Sequence, residues 1–588
     1  MATDIPYTPD TAITKAMFNF DAFGLSDYTL SGPIRVSVSD DFSRDDYSNP
    51  GYSRFNPMLY TAGPNEVAWT AQMKSNIQEI LQTYSQFANI SFQWVGDYDT
   101  FSSGADTTPN PEDVGRAGVS DININWIDRS DVNFAGISGG SSDDFLFHYI
   151  GAANDIFLNA YAPKFNDDLS LNLNTRARQT LMHELGHSLG LSHPHSAYNI
   201  DTGIPTITDD YAATKDLGFS QLGFRTNSAL DMYKEYFTIM SYDDQNSLLP
   251  GSNVVYQAYT PMILDVIALQ QAYGEGSGTS GSGNDTITPG IAGYRTYFDT
   301  GGIDTVDLSD YTSGAYFHIG VSITGAAHLV GVSMSTFDAQ NTIALGKDPA
   351  NLRWFYGEYE NAAGSAAADQ ITGNSLDNVI EGKDGNDTLS GGGGNDSLNG
   401  GGGDDILNGQ DGIDTAVYTG SRSAFSITRN IDHSFTINDN THTEGTDTLN
   451  GIERINFSDD HLALDIDGNA GITAKILGAV FGKDSLANKE YAGIGLTLLD
   501  GGMSYNDLME LAINTKLGAH ASDTAIVNLL YTNVVGAAPA TSDLNYYTGL
   551  LQNGSYNEGS LGILAADSTA NAEHIHLIGL AATGLEFV

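Results

Sequence analysis

Between Gly364 and Val417 the chain repeats itself every nine residues, and this period restricts the possible fold more than any other feature. Glycine opens the units at Gly364, Gly373, Gly382, Gly391, Gly400 and Gly409. The sixth place holds Asp369, Asn378, Asp387, Asp396, Asp405 and Asp414, and the eighth holds Ile371, Ile380, Leu389, Leu398, Leu407 and Ala416. A flexible Gly/Ser/Asp linker has no reason to keep an acid and an aliphatic in register over six units. Glycine lets the backbone turn with its carbonyls inward, aspartate adds a hard oxygen, and Ca2+ accepts about six to eight such ligands. The aliphatic points into a thin core that cannot by itself offset repulsion between stacked carboxylates, so the segment is expected to fold only around calcium. Asp369, Asp387, Asp396, Asp405 and Asp414 are therefore candidate calcium ligands. Two looser units, Gly281–Ile287 and Gly301–Val306, add Asp285 and Asp304.

The charge balance agrees. Twenty-four Lys+Arg face 73 Asp+Glu, a formal net charge of −49, which excludes nucleic acid as an expected partner. A merely solvated acidic surface would not place its acids in register. There is no cysteine, so disulfides and thiolate metal sites are excluded, and oxygen and imidazole remain as ligands. Met1–Ala12 lacks the basic and apolar regions of an N-terminal signal peptide.

The 588 residues are too many for a single hydrophobic core, and two to four domains are expected. Ile34–Tyr273 reads as mixed α/β. Apolar residues at helical spacing predict a helix over Glu66–Ala88, followed by strands at Ile90–Trp94, Ile122–Ile127 and Asp155–Ala160 and a helix from about Thr175. Tyr418–Leu464 alternates like a β cap on the repeats, and Ile472–Leu580 reads as a separate helical domain with no recognisable chemistry.

The second constraint is the run His183-Glu184-Leu185-Gly186-His187-Ser188-Leu189-Gly190-Leu191-Ser192-His193. One turn apart on a helix, His183 and His187 share a face and can converge on one ion. Gly190 can end the helix in a left-handed conformation and return the chain so that His193 becomes a third nitrogen ligand. Three ligands with an open position are the catalytic arrangement for zinc, and Glu184 beside that position is placed to act as general base.

With Phe237-Thr238-Ile239-Met240-Ser241-Tyr242 downstream, the pattern resembles the metzincin zinc proteases. The nine-residue repeats narrow the resemblance to the serralysins, over roughly residues 65 to 420. It implies that Met240 forms a hydrophobic floor under the metal and that Tyr242 ligates zinc at rest and then bonds the developing oxyanion. It also implies that Thr260–Gly274 closes the catalytic domain and that Asp155–Asn159 offers an exposed edge to an extended substrate. After His193-Pro194 the loop is one residue longer than the usual family pattern, with His195 read as an exposed loop residue.

The resulting expectation is a multidomain chain. Residues 1–30 form an N-terminal segment and possible propeptide, 31–275 an α/β metzincin zinc protease domain, 276–465 a calcium-binding parallel β-roll with its cap, and 466–588 a mainly α-helical domain with a secretion signal near its end. The helical part is similar to a domain of unknown function found on other repeat-in-toxin proteins. The expected protein is a secreted zinc endopeptidase carrying one catalytic Zn2+ and several structural Ca2+. Its implied partners are protein or peptide substrates, a type I secretion channel and a cell surface or surface layer. The rival reading is a calcium-dependent adhesion protein with an inactive or occluded metzincin domain.

Overall fold

The computed structural model describes residues 3–6, 28–31, 33–39, 69–97, 122–127, 136–138, 154–159, 170–172, 176–191, 197–198, 205–206, 219–222, 237–240, 258–290, 293–324, 326–334 and 352–588. The chain divides into two compact units, Met1–Val306 with Tyr316–Tyr359, and Asp307–Ala315 with Glu360–Val588. Among the described residues no helix is long and apolar enough to cross a membrane.

In the first unit, β1 (Ile34–Ser39), α1 (Ala71–Phe87), β2 (Phe92–Asp97), β3 (Ile122–Ile127), β4 (Gly136–Ser138), β5 (Asn154–Asn159), α2 (Arg176–Ser188) and α3 (Ile263–Tyr273) follow one another in the chain. The strands form one sheet in the order β2-β1-β3-β5-β4, parallel except for β4. Helix α1 starts where the Thr70 side chain accepts the Met73 N–H, a bond that satisfies one of the unpaired donors of the first turn. Its apolar stripe, Met73, Ile77, Ile80, Leu81, Tyr84 and Phe87, is buried in one core with Ile34, Val36, Leu181, Leu185 and Ile267. The Tyr84 hydroxyl donates to the Met182 carbonyl at 2.6 Å and ties α1 to the histidine helix α2.

One expectation fails here. β5 is not an exposed edge, because β3 pairs with it on one side and Gly136–Ser138 covers Ile156–Leu158 on the other. The sequence hides this because three residues containing a glycine carry too little alternation to be read as a strand.

In the second unit the repeats wind into parallel strands on two faces. Ile371, Leu389 and Leu407 stack in register on one face, and Ile380, Leu398 and Ala416 on the other, all buried. The winding does not stop where the period stops. Leu407 pairs onward with Leu449 and Ala416 with Ile455, so the predicted cap contains two further turns of the same coil. A hairpin of Phe425–Arg429 and Phe435–Asp439 interrupts them, and the step between equivalent aspartates grows from 18 residues to 42. From Asn469 to Thr583 helices follow, several opened by side-chain caps at Asn488, Ser504, Ser522, Asn557 and Ser568.

Candidate metal centres

His183 and Glu184 are buried in α2, and His187 is half-buried one turn on. The two imidazoles stand edge to face with centroids 4.8 Å apart. His183 Nδ1 lies 2.8 Å from the Ile239 carbonyl and His187 Nδ1 2.7 Å from the Leu191 carbonyl. A carbonyl only accepts, so in each ring Nδ1 is the protonated nitrogen and Nε2 carries the lone pair a metal needs. The Leu191 acceptor exists because Gly190, at φ +101°, reverses the chain: Gly190 N–H donates to His187 O and Leu191 N–H to Gly186 O, both at 2.9 Å.

Met240 is fully buried against this helix, and a Cβ on Gly186 would fall 2.7 Å from its Sδ. The turn carrying Met240 is held by a residue that sequence reading missed, Asp265 on α3. Its Oδ1 accepts the Thr238 hydroxyl at 2.6 Å, and its Oδ2 accepts the Ile239 and Met262 N–H groups, each at 2.8 Å. Burial pushes this carboxyl up to about 7 in spite of those bonds. The signal for it was present as an acid at the third position of a helix, the reach of a capping box, but its long-range partners were not readable. His193, His195 and Tyr242 lie outside the described residues. Among the described residues no group of three or more His, Asp or Glu is placed to hold a metal.

The repeat aspartates form a ladder. Backbone N–H groups of Asp369, Asp387, Asn378 and Asp396 donate to the Oδ1 atoms of Asp387, Asp405, Asp396 and Asp414. In Asp387, Asp396, Asp405 and Asp414 the second oxygen, Oδ2, is buried without a hydrogen-bond partner. Burial raises Asp387 and Asp396 to about 7 and Asp405 to about 6. Each of these oxygens lies against the first-place glycine of its unit, and a desolvated carboxylate oxygen without a partner is the kind of hard donor that calcium takes. Asp369 differs, since Ser365 and the Ala315 N–H already bond both its oxygens. Asn378 takes a ladder place but spends its amide on the Glu360 carbonyl. Asp285 donates its N–H to Asp304 Oδ1 in the first unit. The two turns beyond the hairpin contribute Asp447 and Glu453, which accept the N–H groups of Asp405 and Asp414 at 3.0 Å. The missing period concealed both.

Comparison with known proteins agrees with these two constellations. The family described as Astacin (Peptidase family M12A) matches residues 162–259, and the RTX calcium-binding nonapeptide repeat matches 361–388 and 381–416. The chain is serralysin-like. It is 27% identical over 401 residues to Metallopeptidase AprA of Pseudomonas marginalis, covering 63% of this chain and 66% of the relative. Serralysin of Photorhabdus luminescens is 26% identical over 261 residues, 39% of this chain and 50% of the relative. Serralysin C of Dickeya chrysanthemi is 33% identical over 149 residues, 23% of this chain and 27% of the relative. The serralysin-like chain thus matches a little under two thirds, or less, of each relative's length.

Proposed function

We propose that the protein is a secreted zinc endopeptidase whose repeat region folds around calcium. The observation carrying this reading is the pair of imidazoles on α2, each with its Nδ1 proton given to a backbone carbonyl. His183, His187 and His193 would hold the ion, within an α/β catalytic domain of metzincin type. A zinc ion bound there supplies Lewis acidity, polarising a scissile carbonyl and making water nucleophilic near neutral pH. Glu184, beside His183 and buried, takes the proton of the attacking water and returns it to the leaving amine. Tyr242 donates to the oxyanion, and Met240 closes the floor behind the rings. An extended peptide would pair with β4, the strand at the end of the sheet, rather than with β5. Export through a type I channel is the partner implied by the serralysin likeness, and contact with a cell surface is the role suggested by the appended helical region, which typical serralysins lack.

Glu184→Gln keeps the shape of the side chain and removes its basicity. It is expected to retain one zinc per chain and to lose casein hydrolysis by at least about a hundredfold. Hydrolysis at the parental rate would remove Glu184 from the role of base. Zinc-loaded parent protein that cleaves nothing would favour the adhesion reading.

A further inference from the structure

The carboxylate of Asp265 does more than its place in α3 requires. As a helix cap it needs only the Met262 N–H, which one oxygen accepts at 2.8 Å. The same oxygen also accepts the Ile239 N–H, and the other accepts the Thr238 hydroxyl, 26 and 27 residues away in the chain. Thr238 in turn accepts the Met240 N–H at 3.0 Å, and the Leu264 N–H reaches back to the Phe237 carbonyl at 3.0 Å. Four consecutive residues, Phe237 to Met240, are thereby fixed to the start of α3, and all four are buried. The Ile239–Met240 peptide, held by its Met240 N–H on Thr238 Oγ1, is the one whose carbonyl receives the His183 Nδ1 proton.

We propose that Asp265 is a positioning residue for the metal centre, acting through Thr238 and the Ile239–Met240 peptide to set the ring plane and tautomer of His183. The inference rests on the zinc reading given above. Its physical content is a chain of three hydrogen bonds, from the carboxylate to the Thr238 hydroxyl, from Thr238 Oγ1 to the Met240 N–H, and from the Ile239 carbonyl of that same peptide to the imidazole. If the carboxylate is removed, two backbone N–H groups and a hydroxyl lose their acceptor in a dry site, and the turn relaxes to find others. The Ile239 carbonyl then no longer holds His183 Nδ1–H in place. Outer partners of metal-ligating histidines carry about ten- to a hundredfold of metal affinity.

The test uses the full chain in calcium, stripped of zinc, with zinc affinity measured by competition against a chromophoric chelator and ligand geometry by the visible spectrum after cobalt substitution. Asp265→Ala is expected to weaken zinc binding by about ten- to a hundredfold and to alter the cobalt spectrum. Asp265→Asn rescues, because its oxygen still accepts both N–H groups and its amide can donate to Thr238 Oγ1. Thr238→Val leaves the helix cap untouched, so a weaker affinity and a changed spectrum there separate positioning from capping, even should the alanine variant fail to fold. Parental affinity and an unchanged spectrum in Thr238→Val and in any folded Asp265→Ala would overturn the inference. A parent protein that binds no zinc is a different result: it removes the zinc reading, and this inference with it.

Discussion

Gly186 lies between His183 and His187 and faces a side chain rather than solvent. Replacing it with alanine would ordinarily favour the helix by about 1 kcal/mol. Here the new Cβ would lie 2.7 Å from the Met240 sulfur, and the Met240 backbone is pinned through Thr238. Overpacking of this kind costs about 1–3 kcal/mol, so Gly186→Ala should destabilise the first unit by about 1 kcal/mol net. Adding Met240→Ala should relieve most of that. Thermal melts of the four proteins of the cycle check it, and a stabilised single variant would mean that Met240 does not press on the helix. The meeting of His183 and His187 was legible in the sequence because i, i+4 spacing puts them on one helix face. Asp265 was not, because no local rule reports which residue 27 positions away a buried carboxylate will bond.

At the scale of the element, the first-place and third-place glycines of a repeat have different reasons to exist. A Cβ on Gly391 would fall 2.1 Å from Asp396 Oδ2 and 2.7 Å from its Cγ, whereas one on Gly393 would meet nothing closer than Ser375 Cα at 3.8 Å. Gly391→Ala therefore displaces the Asp396 carboxylate. For each calcium bound singly in the folding step, an overpacking cost of about 1–3 kcal/mol corresponds to roughly ten- to a hundredfold more calcium at the folding midpoint, and the shift shrinks in proportion as more ions bind together. Gly393→Ala should leave the midpoint near the parental value. Calcium titrations followed by far-ultraviolet circular dichroism decide between them, and equal shifts in both variants would refute the inward geometry. The six regular units were readable because a nine-residue period leaves little freedom in how they stack. The last two turns escaped because an inserted hairpin shifts the register by more than a search at fixed period tolerates. In three dimensions the ladder resumes on Leu449 and Ile455 as if the hairpin were absent.

At the scale of the whole molecule, a net charge of −49 is tolerable only if much of the acid is neutralised, and the buried ladder determines how pH and calcium share that task. Burial raises Asp387, Asp396 and Asp447 to about 7 and Asp405 to about 6, above the value of about 3.9 for an unfolded aspartate. Without calcium the folded ladder thus holds more protons than the unfolded chain between about pH 4 and pH 7. Stability must then fall as pH rises through that window. Calcium reverses the sign of the dependence: it binds the deprotonated carboxylates, protons compete with it, and its stabilisation grows over the same pH range. In chelator, far-ultraviolet circular dichroism of the full chain should therefore show calcium-free repeat structure greatest near about pH 4 and lost towards about pH 7, and melts in millimolar calcium should show a midpoint that rises over that range. A chelator series that is flat or rising over this range would mean that the ladder carboxylates are not desolvated in the folded state.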